Sequence, residues 1–266
     1  MKERRACIIG NWKMHGSAQM IRTFFAEFFA ALASHPAALS GIEWVICPPF
    51  VYLPHILENL HQLNNLTHTV SGSLGAQNTY SEATGAFTGE VAPEMLRDIG
   101  CQWVIVGHSE RRTLFYEDNT RIARKFLAAY DAGLFPVLCV GETRAERETG
   151  KTWEVIQRQL EAVFAIAPIE SLTTAVIAYE PVWAIGTGLT ATPEQAEAVH
   201  LAIRDWIAKR DPCLAATARL LYGGSVKADN AAGLFAMPNI DGALVGGASI
   251  IAQEFFDIVK SAKARI

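Results

Sequence analysis

Residues 175–188 read A-V-I-A-Y-E-P-V-W-A-I-G-T-G, and this stretch says more about the fold than any other. Its first five residues predict a buried strand, and one carboxylate, Glu180, follows directly. A proline then fixes a backbone angle at the entry of the next loop, whereas glycines leave its exit flexible. Residues 192–195 (T-P-E-Q) combine a cap, a proline and an early acid, which predicts a helix to about residue 209. The stretch therefore predicts one strand–loop–helix unit whose loop could close over a ligand.

Similar short apolar runs recur along the chain, and helical patterns separate them. Most runs are nearly all apolar, as expected of parallel strands that are covered on both faces. The predicted strands are residues 7–10, 44–47, 73–77, 103–107, 135–140, 175–179, 219–222 and 242–245. The predicted helices cover residues 17–33, 53–60, 91–99, 120–132, 153–165, 192–209, 229–235 and 250–262.

Eight strands that alternate with helices predict a closed (β/α)8 barrel, an α/β fold, over residues 1–266 as a single domain. An open, doubly wound sheet is the competing architecture. That fold usually carries G-x-G-x-x-G after its first strand, and this chain has N-W-K-M-H-G there.

Composition narrows the possible partners and the compartment. The chain has 266 residues, half of them hydrophobic, and a formal net charge of −4, which argues against nucleic-acid and membrane-surface partners. The five cysteines are widely spaced and include no C-x-x-C pair, so we expect reduced thiols in a cytoplasmic protein rather than disulfides or a zinc site. No signal peptide or membrane-spanning run is visible.

The barrel predicts where the chemistry lies, because active sites of this architecture sit at the carboxyl ends of the strands. Asn11 and Lys13 follow the first predicted strand, His108 follows the fourth, and Glu180 follows the sixth. Glycine pairs follow the seventh and eighth. These residues are far apart in the sequence, but we expect them to converge at one rim.

Glu180 is the candidate base and His108 the candidate proton donor to a carbonyl oxygen. An apolar closed pocket would raise the pKa of the Glu180 carboxyl toward the working pH, whereas a surface glutamate would serve no such role. A short helix that starts at Ser109 would disfavour the imidazolium form of His108 through its backbone N–H groups. Lys13 is suited to an anionic substrate and to negative charge that develops on oxygen, although lysines at loop positions are usually solvated.

The glycine pairs, Gly223-Gly224 and Gly246-Gly247, are candidate phosphate-binding loops. Glycine lets backbone N–H groups approach phosphate oxygens, and loops 7 and 8 are the usual phosphate site in this architecture. Ser249 could cap a short helix that points at the anion. Turns need glycine in any case, so each pair alone is weak support.

Several of these motifs together resemble one enzyme family. N-W-K-M at residues 11–14, G-H-S-E-R-R at 107–112, Y-E-P-V-W-A-I-G-T-G at 179–188, Y-G-G-S at 222–225 and L-V-G-G-A-S at 244–249 are similar to the triosephosphate isomerase family. The resemblance covers nearly the whole chain, in order.

The resemblance implies a glycolytic and gluconeogenic enzyme that interconverts dihydroxyacetone phosphate and D-glyceraldehyde 3-phosphate through an enediolate, without metal or organic cofactor. Glu180 would move the proton, neutral His108 would polarise the carbonyl, and Lys13, with Asn11, would offset negative charge. The phosphate would lie on backbone groups of Gly186, Ser225, Gly246 and Gly247. The lid would comprise Pro181, Val182, Trp183, Ala184, Ile185, Gly186, Thr187 and Gly188, latched by Tyr222 and Ser225, with Glu110 and Cys139 as supporting residues.

The resemblance also implies a homodimer formed through the loop after the third strand. Residues 77–90 match that loop, with Gln77 at its start and Thr88 at its tip, near Asn11 and Lys13 of the partner subunit. His15 stands where the family more often has asparagine, on the side of loop 1 that would face the partner. Because histidine changes charge between pH 5 and 8, His15 could make dimerisation mildly pH-sensitive.

Two other functions remain compatible with the sequence. An isomerase of the same fold that acts on a four-carbon phosphosugar would use the same catalytic groups. A catalytically inactive binding or adhesion protein would be expected to lack Glu180, His108 or Lys13, and all three are present. The sequence therefore favours an isomerase of a small sugar phosphate.

Overall fold

The predicted closed barrel is confirmed. The computed structural model describes residues 4–66, 72–184 and 190–265. The eight strands pair in parallel in sequence order, and the last closes against the first, where Cys7 aligns with Gly242. In chain order the strands are β1 (Cys7–Asn11), β2 (Glu43–Cys47), β3 (Gly72–Ala76), β4 (Trp103–Val106), β5 (Phe135–Val140), β6 (Val176–Tyr179), β7 (Arg219–Tyr222) and β8 (Gly242–Val245).

The helices lie outside the barrel, and each predicted one is present to within a few residues, except that the second extends past its predicted end. Among the described residues they are α1 (Ala18–Ser34), α2 (Leu53–Leu66), α3 (Pro93–Ile99), α4 (Ser109–Leu114), α5 (Asn119–Asp131), α6 (Arg144–Glu148), α7 (Thr152–Phe164), α8 (Pro193–Ala208), α9 (Pro212–Thr217), α10 (Ala228–Phe235) and α11 (Ala252–Ser261). The helices α6 and α9 were not predicted, because five or six residues are too few to show a period of 3.6.

Local sequence explains where the predicted helices begin. The Ser17 hydroxyl accepts a hydrogen bond from the Met20 N–H and caps α1, as predicted. Thr192 and Gln195 form a reciprocal capping box at α8, and Pro193 occupies its first position. These caps fix the point at which the chain enters each helix, and therefore the length of the loop that precedes it.

Alternate residues of each strand serve two different cores, which is why the strands read as unbroken apolar runs. Ile9, Val45 and Ile105 pack inside the barrel, whereas Ile8 and Trp44 pack outward against the helices. Both sets are fully buried. A strand that is covered on both faces leaves its carboxyl end as the place where polar side chains meet solvent, and the candidate residues lie there.

All five cysteines are unpaired in the structure. Cys7, Cys47, Cys101 and Cys139 are buried, and Cys213 is exposed. Of the helices that the structure describes, none combines the length and the apolar character needed to cross a lipid bilayer.

Candidate active site

The carboxyl ends of the strands surround a cavity of about 520 Å³. Its volume lies within the range typical of small-molecule sites. The lining includes most of the predicted catalytic and substrate-binding residues and both glycine pairs, which come from five different strand ends: Asn11, Lys13, His108, Glu180, Gly223, Gly224, Ser225, Gly246 and Gly247. The predicted convergence at one rim is therefore confirmed for the described residues.

Glu180 is buried at the end of β6, with 2% of its surface exposed. One carboxylate oxygen accepts a hydrogen bond from the Ser109 N–H at 2.8 Å, and the other lies 3.0 Å from Nε2 of His108. The thiol of Cys139 also contacts the carboxylate, and burial together with the Glu180 charge raises the pKa of this thiol well above its ordinary value. The Glu180 carboxylate is thus held between the ends of β4, β5 and β6.

The pKa of Glu180 differs from the sequence expectation. Burial by itself raises this pKa, as expected of an apolar pocket, but His108 and the Ser109 N–H lower it further than burial raises it. The net shift is downward, because donors that face a carboxylate stabilise its ionised form. The expectation of a raised pKa was wrong because it considered only the apolar neighbours in the sequence, and the two strongest donors come from a loop seventy residues earlier.

His108 caps α4, the short helix expected at Ser109. Its Nδ1 accepts a hydrogen bond from the Glu110 N–H at 3.2 Å. A backbone N–H can only donate, so Nδ1 carries a lone pair and the ring proton lies on Nε2, which faces Glu180. Burial lowers the pKa of His108, but the Glu180 carboxylate raises it more, so the helix start alone does not decide the charge of this ring.

Lys13 lies in the loop after β1 in a left-handed backbone conformation, with φ of 50°. Such a conformation costs about 1–3 kcal/mol for a residue other than glycine, so the surrounding contacts must hold it. The Asn11 side chain accepts from the Lys13 N–H at 3.0 Å, and Gln77 donates to the Lys13 carbonyl at 2.8 Å. The Lys13 ammonium pairs with Glu110 at 2.6 Å. These contacts aim the ammonium into the cavity.

The two glycine pairs meet different structural demands. A Cβ atom at Gly223 would lie 2.8 Å from Cγ of Glu180, and one at Gly224 would clash with the Tyr222 hydroxyl. A Cβ atom at Gly247 would meet nothing within 4 Å, and one at Gly246 would meet only the Lys13 side chain. The first pair is therefore required by packing, and the second leaves open space at the cavity wall.

The expectation that Ser249 caps a helix was wrong. Ser249 lies inside a short 3-10 turn, Gly247–Ile250, and its hydroxyl donates to the Gly246 carbonyl at 2.7 Å. A serine that donates to a preceding carbonyl closes the turn on itself and offers no oxygen to the first N–H groups.

The structure describes the first four residues of the predicted lid, residues 181–184. Pro181 follows Glu180, and Val182–Ala184 form one 3-10 turn. Ile185, Gly186, Thr187 and Gly188 lie outside the described residues. Tyr222 is fully buried, and burial raises the pKa of its phenol to about 12, while the backbone of Ala191 opposes that rise. Tyr222 therefore lies close to Ala191, which follows the predicted lid by three residues in the sequence.

Three contributors to the site were missed at the level of sequence. The Ser109 N–H binds Glu180, and Arg112 ties the ends of β4 and β5 together by donating to the carbonyls of Gly107 at 2.8 Å and Cys139 at 3.0 Å. Glu142, which is fully buried, accepts from the Tyr179 hydroxyl and the Trp183 indole, each at 3.1 Å. Ser109 and Arg112 lie within the quoted G-H-S-E-R-R motif, which was the available signal. Among the described residues, no cluster of three His, Cys, Asp or Glu side chains could hold a metal ion.

Sequence comparison identifies the family. A family model described as triosephosphate isomerase matches residues 6–262. The chain belongs to the triosephosphate isomerase family. It is 53% identical over 259 residues to the triosephosphate isomerase of Thiobacillus denitrificans, covering 97% of this chain and 99% of the relative. The enzymes of that name from Serratia proteamaculans and Xanthomonas oryzae pv. oryzae are 50% and 49% identical, over 264 and 263 residues, and each alignment covers 98% of this chain and at least 98% of the relative.

Membership of the triosephosphate isomerase family extends over the whole barrel. The matched region runs from the residue before β1 to the residue after α11, so it includes all five strand ends that line the cavity. The cavity therefore belongs to the part of this chain that defines the family.

Proposed function

We propose that this chain is a triosephosphate isomerase that interconverts dihydroxyacetone phosphate and D-glyceraldehyde 3-phosphate by proton transfer through an enediolate. The observation that carries the proposal is the buried pair at the cavity wall, in which the Glu180 carboxylate lies 3.0 Å from Nε2 of His108. One group can take a proton from carbon while the other supports the oxygen on the neighbouring carbon. The identity of the substrate is inferred from membership of the triosephosphate isomerase family.

Glu180 is the base in this proposal. Its present donors, the Ser109 N–H and His108, keep it ionised at neutral pH, which a proton acceptor requires. The same donors weaken it as a base, because they stabilise the charged form. The carboxylate must therefore give up these hydrogen bonds when it turns toward the substrate carbon, and its basicity rises as it does so.

His108 donates its Nε2 proton to the carbonyl oxygen in this proposal. The Glu110 N–H fixes the tautomer, so the proton-bearing nitrogen faces the cavity. When substrate separates the imidazole from the Glu180 carboxylate, the influence that raises the pKa of His108 weakens, and burial and the Glu110 N–H favour the neutral ring. The Lys13 ammonium, with Asn11 beside it, offsets the negative charge that develops on the oxygens.

We assign the phosphate to the loops after β7 and β8. Gly246 and Gly247 support this assignment because a Cβ atom at Gly247 would face open space and one at Gly246 would meet only the Lys13 side chain, so packing does not require glycine. Backbone N–H groups at Ser225, Gly246 and Gly247 can approach phosphate oxygens closely. Gly186 completes the predicted set from the lid, residues 181–188, which would exclude water from the enediolate.

An assay of the purified protein tests the function. We expect isomerisation of either triose phosphate in a coupled assay, and a fall in kcat of about 10²–10⁴-fold for Glu180→Gln. Glu148→Gln is the matched control, because Glu148 is 61% exposed in its ion pair with Arg144. The proposal fails if wild-type protein shows no isomerase activity. A higher kcat/KM for a tetrulose phosphate than for a triose phosphate would assign the chain to the four-carbon substrate instead.

We also propose that the chain acts as a homodimer, with the partner packed against loop 1 and the loop after β3. Large apolar side chains in this region support a covered surface, since Met14 is 94% exposed and Phe87 is 41% exposed. Residues 82–90, which include Thr88, are all exposed. Gln77 joins the two loops through its hydrogen bond to the Lys13 carbonyl, so dimerisation would also steady Lys13.

Sedimentation equilibrium tests the dimer. Wild-type protein should sediment with twice the chain mass of 29.0 kDa, and Thr88→Arg should shift it toward the chain mass. Thr23→Arg on the exposed face of α1 should leave the mass unchanged. Monomeric wild-type protein at micromolar concentration would contradict the proposal. The unpaired cysteines, one of them exposed, support a reducing compartment and hence the cytoplasm.

A further inference from the structure

The Trp183 indole contacts two charged side chains, Glu142 in the loop after β5 and Arg147 in α6. It lies in the Val182–Ala184 turn, three residues after Glu180. Its indole N–H donates to Oε1 of Glu142 at 3.1 Å, and the guanidinium carbon of Arg147 lies 4.3 Å from the ring centre. One contact fixes the edge of the ring and the other its face. An indole that is held at both has little freedom to rotate.

The same two groups are joined to each other. Arg147 donates to Oε1 of Glu142 at 3.2 Å, and the Glu142 carboxylate is fully buried. The Tyr179 hydroxyl donates to the same oxygen, and the Val182 N–H donates to the Glu142 carbonyl. Among the described residues, the other carboxylate oxygen has no hydrogen-bond partner. A buried carboxylate in this state depends on a neighbouring cation, because an uncompensated buried charge is costly.

Arg147 itself belongs to a short helix with a capped amino terminus. It lies in α6, where Thr143 and Glu146 form a reciprocal capping box. Arg147 does not line the cavity. It can therefore act on the reaction only through its neighbours, and those neighbours, Tyr179 and Trp183, bracket Glu180 in the chain.

We propose that Arg147 is a positioning residue for the isomerase reaction: its guanidinium stacks on Trp183 and pairs with the buried Glu142 carboxylate, which fixes the first turn of the lid beside Glu180. This inference rests on the proposed function. Without Arg147, Glu142 loses a charged donor and the indole loses the group on its face. The Val182–Ala184 turn then has a less defined position beside Glu180, and the enediolate is less well shielded from water.

Poor shielding of the enediolate from water can be detected chemically, in a measurement that does not depend on the rate. When the enediolate of a triose phosphate escapes protonation, its C–O bond to phosphate breaks and inorganic phosphate leaves with the bonding electrons. The ratio of phosphate released to product isomerised therefore measures how well the intermediate is enclosed. Reduced stability alone lowers the amount of active enzyme and leaves this ratio unchanged.

The test compares Arg147→Met, Arg147→Lys and Arg144→Met. Arg144 is the matched control, because it lies on the same helix and its side chain is 72% exposed in an ion pair with Glu148. We expect Arg147→Met to lower kcat about 5- to 30-fold, the range of a lost cation–π contact together with a partly buried ion pair, with little change in KM. Phosphate release per turnover should rise several-fold. Arg147→Lys keeps the charge and loses the planar stack, so it should fall between Arg147→Met and wild type.

A double-mutant cycle keeps the inference testable if Arg147→Met is unstable. In a Trp183→Leu background, replacing Arg147 by lysine should have little further effect on the phosphate ratio, because the ring that it positions is gone. The inference is overturned if Arg147→Met and Arg144→Met share the same kcat and the same phosphate ratio. It is also overturned if the effects of Arg147→Lys and Trp183→Leu are additive. If the wild-type protein shows no isomerase activity, the proposed function itself is refuted.

Discussion

Gly223→Ala tests whether the position of the proposed base, Glu180, matters for the rate when its chemical nature is unchanged. The substitution adds one methyl group and leaves every polar group in place. The new Cβ atom would lie 2.8 Å from Cγ of Glu180 and 3.1 Å from the Tyr179 carbonyl oxygen. Ordinary contact begins at 3.4 Å, so the Glu180 side chain must move by about 0.6 Å. The Gly223 N–H also donates to Tyr179 at 2.7 Å, which limits how far the backbone can yield.

The size of the effect follows from that displacement. A misplacement of 1 Å at a catalytic group costs about 10²-fold in rate, so we expect kcat to fall about 10- to 30-fold. Overpacking should also destabilise the fold by about 1–3 kcal/mol. KM should change little, because the methyl group points at Glu180 and the proposed phosphate contacts lie at other residues of these loops.

Steady-state kinetics and thermal unfolding of the same samples provide the measurement. Gly233→Ala in α10 is the matched control, since its Cβ atom would meet only Pro193, at 3.9 Å. That control should keep the wild-type kcat and gain up to about 1 kcal/mol, because alanine is favoured over glycine inside a helix. A Gly223→Ala enzyme with wild-type kcat would refute the argument that Gly223 is required for the placement of Glu180.

Three further predictions concern other parts of the molecule. Gly247→Ala should raise KM about 10-fold without changing the unfolding temperature, because the methyl group meets no protein atom but stands where a phosphate would bind; an unchanged KM would remove Gly247 from the phosphate site. Lys125→Met should destabilise the fold by about 3–5 kcal/mol at pH 8, because it removes the ammonium that lies 2.6 Å from the buried Glu117 carboxylate. The pKa of Glu117 is lowered because Lys125 and Arg111 outweigh burial, so the wild-type stabilisation is complete above the ordinary pKa and is lost as the pH falls through the lowered value. The deficit of Lys125→Met measured by urea unfolding should therefore shrink toward acidic pH, and a constant deficit would contradict this account. If His15 faces the partner subunit, the dimer dissociation constant should differ between pH 5.5 and 8, and equal constants would exclude that role.

Much of the fold could be predicted because local physical preferences and the final packing agree. Residues 176–179 form a strand in the sequence pattern and in the structure, and Thr192 caps the helix that it was predicted to cap. The third strand, whose serine and glycines gave the weakest pattern, is also present. The barrel then required no further information, because alternating strands and helices of these lengths pack in few ways.

The sequence predicted which residues form the site better than it predicted their pKa shifts. The rule that polar residues after parallel strands share one rim placed Lys13, His108 and Glu180 together. It could not supply the Ser109 N–H and His108 contacts that reverse the expected pKa shift of Glu180. Nor could it reveal that Gly223 is needed for packing while Gly247 faces open space.

The sequence by itself determined which residues become strands, where α1 and α8 are capped, and which side chains reach the rim, because each of these depends on neighbours within a few positions along the chain. Only the tertiary structure decided the charge state of Glu180, the clustering of Glu142, Arg147 and Trp183, and the separate roles of the glycine pairs. Those properties depend on distances of a few ångströms between groups that barrel closure brings together. Electrostatic and packing energies change steeply over such distances, and a linear pattern does not record them.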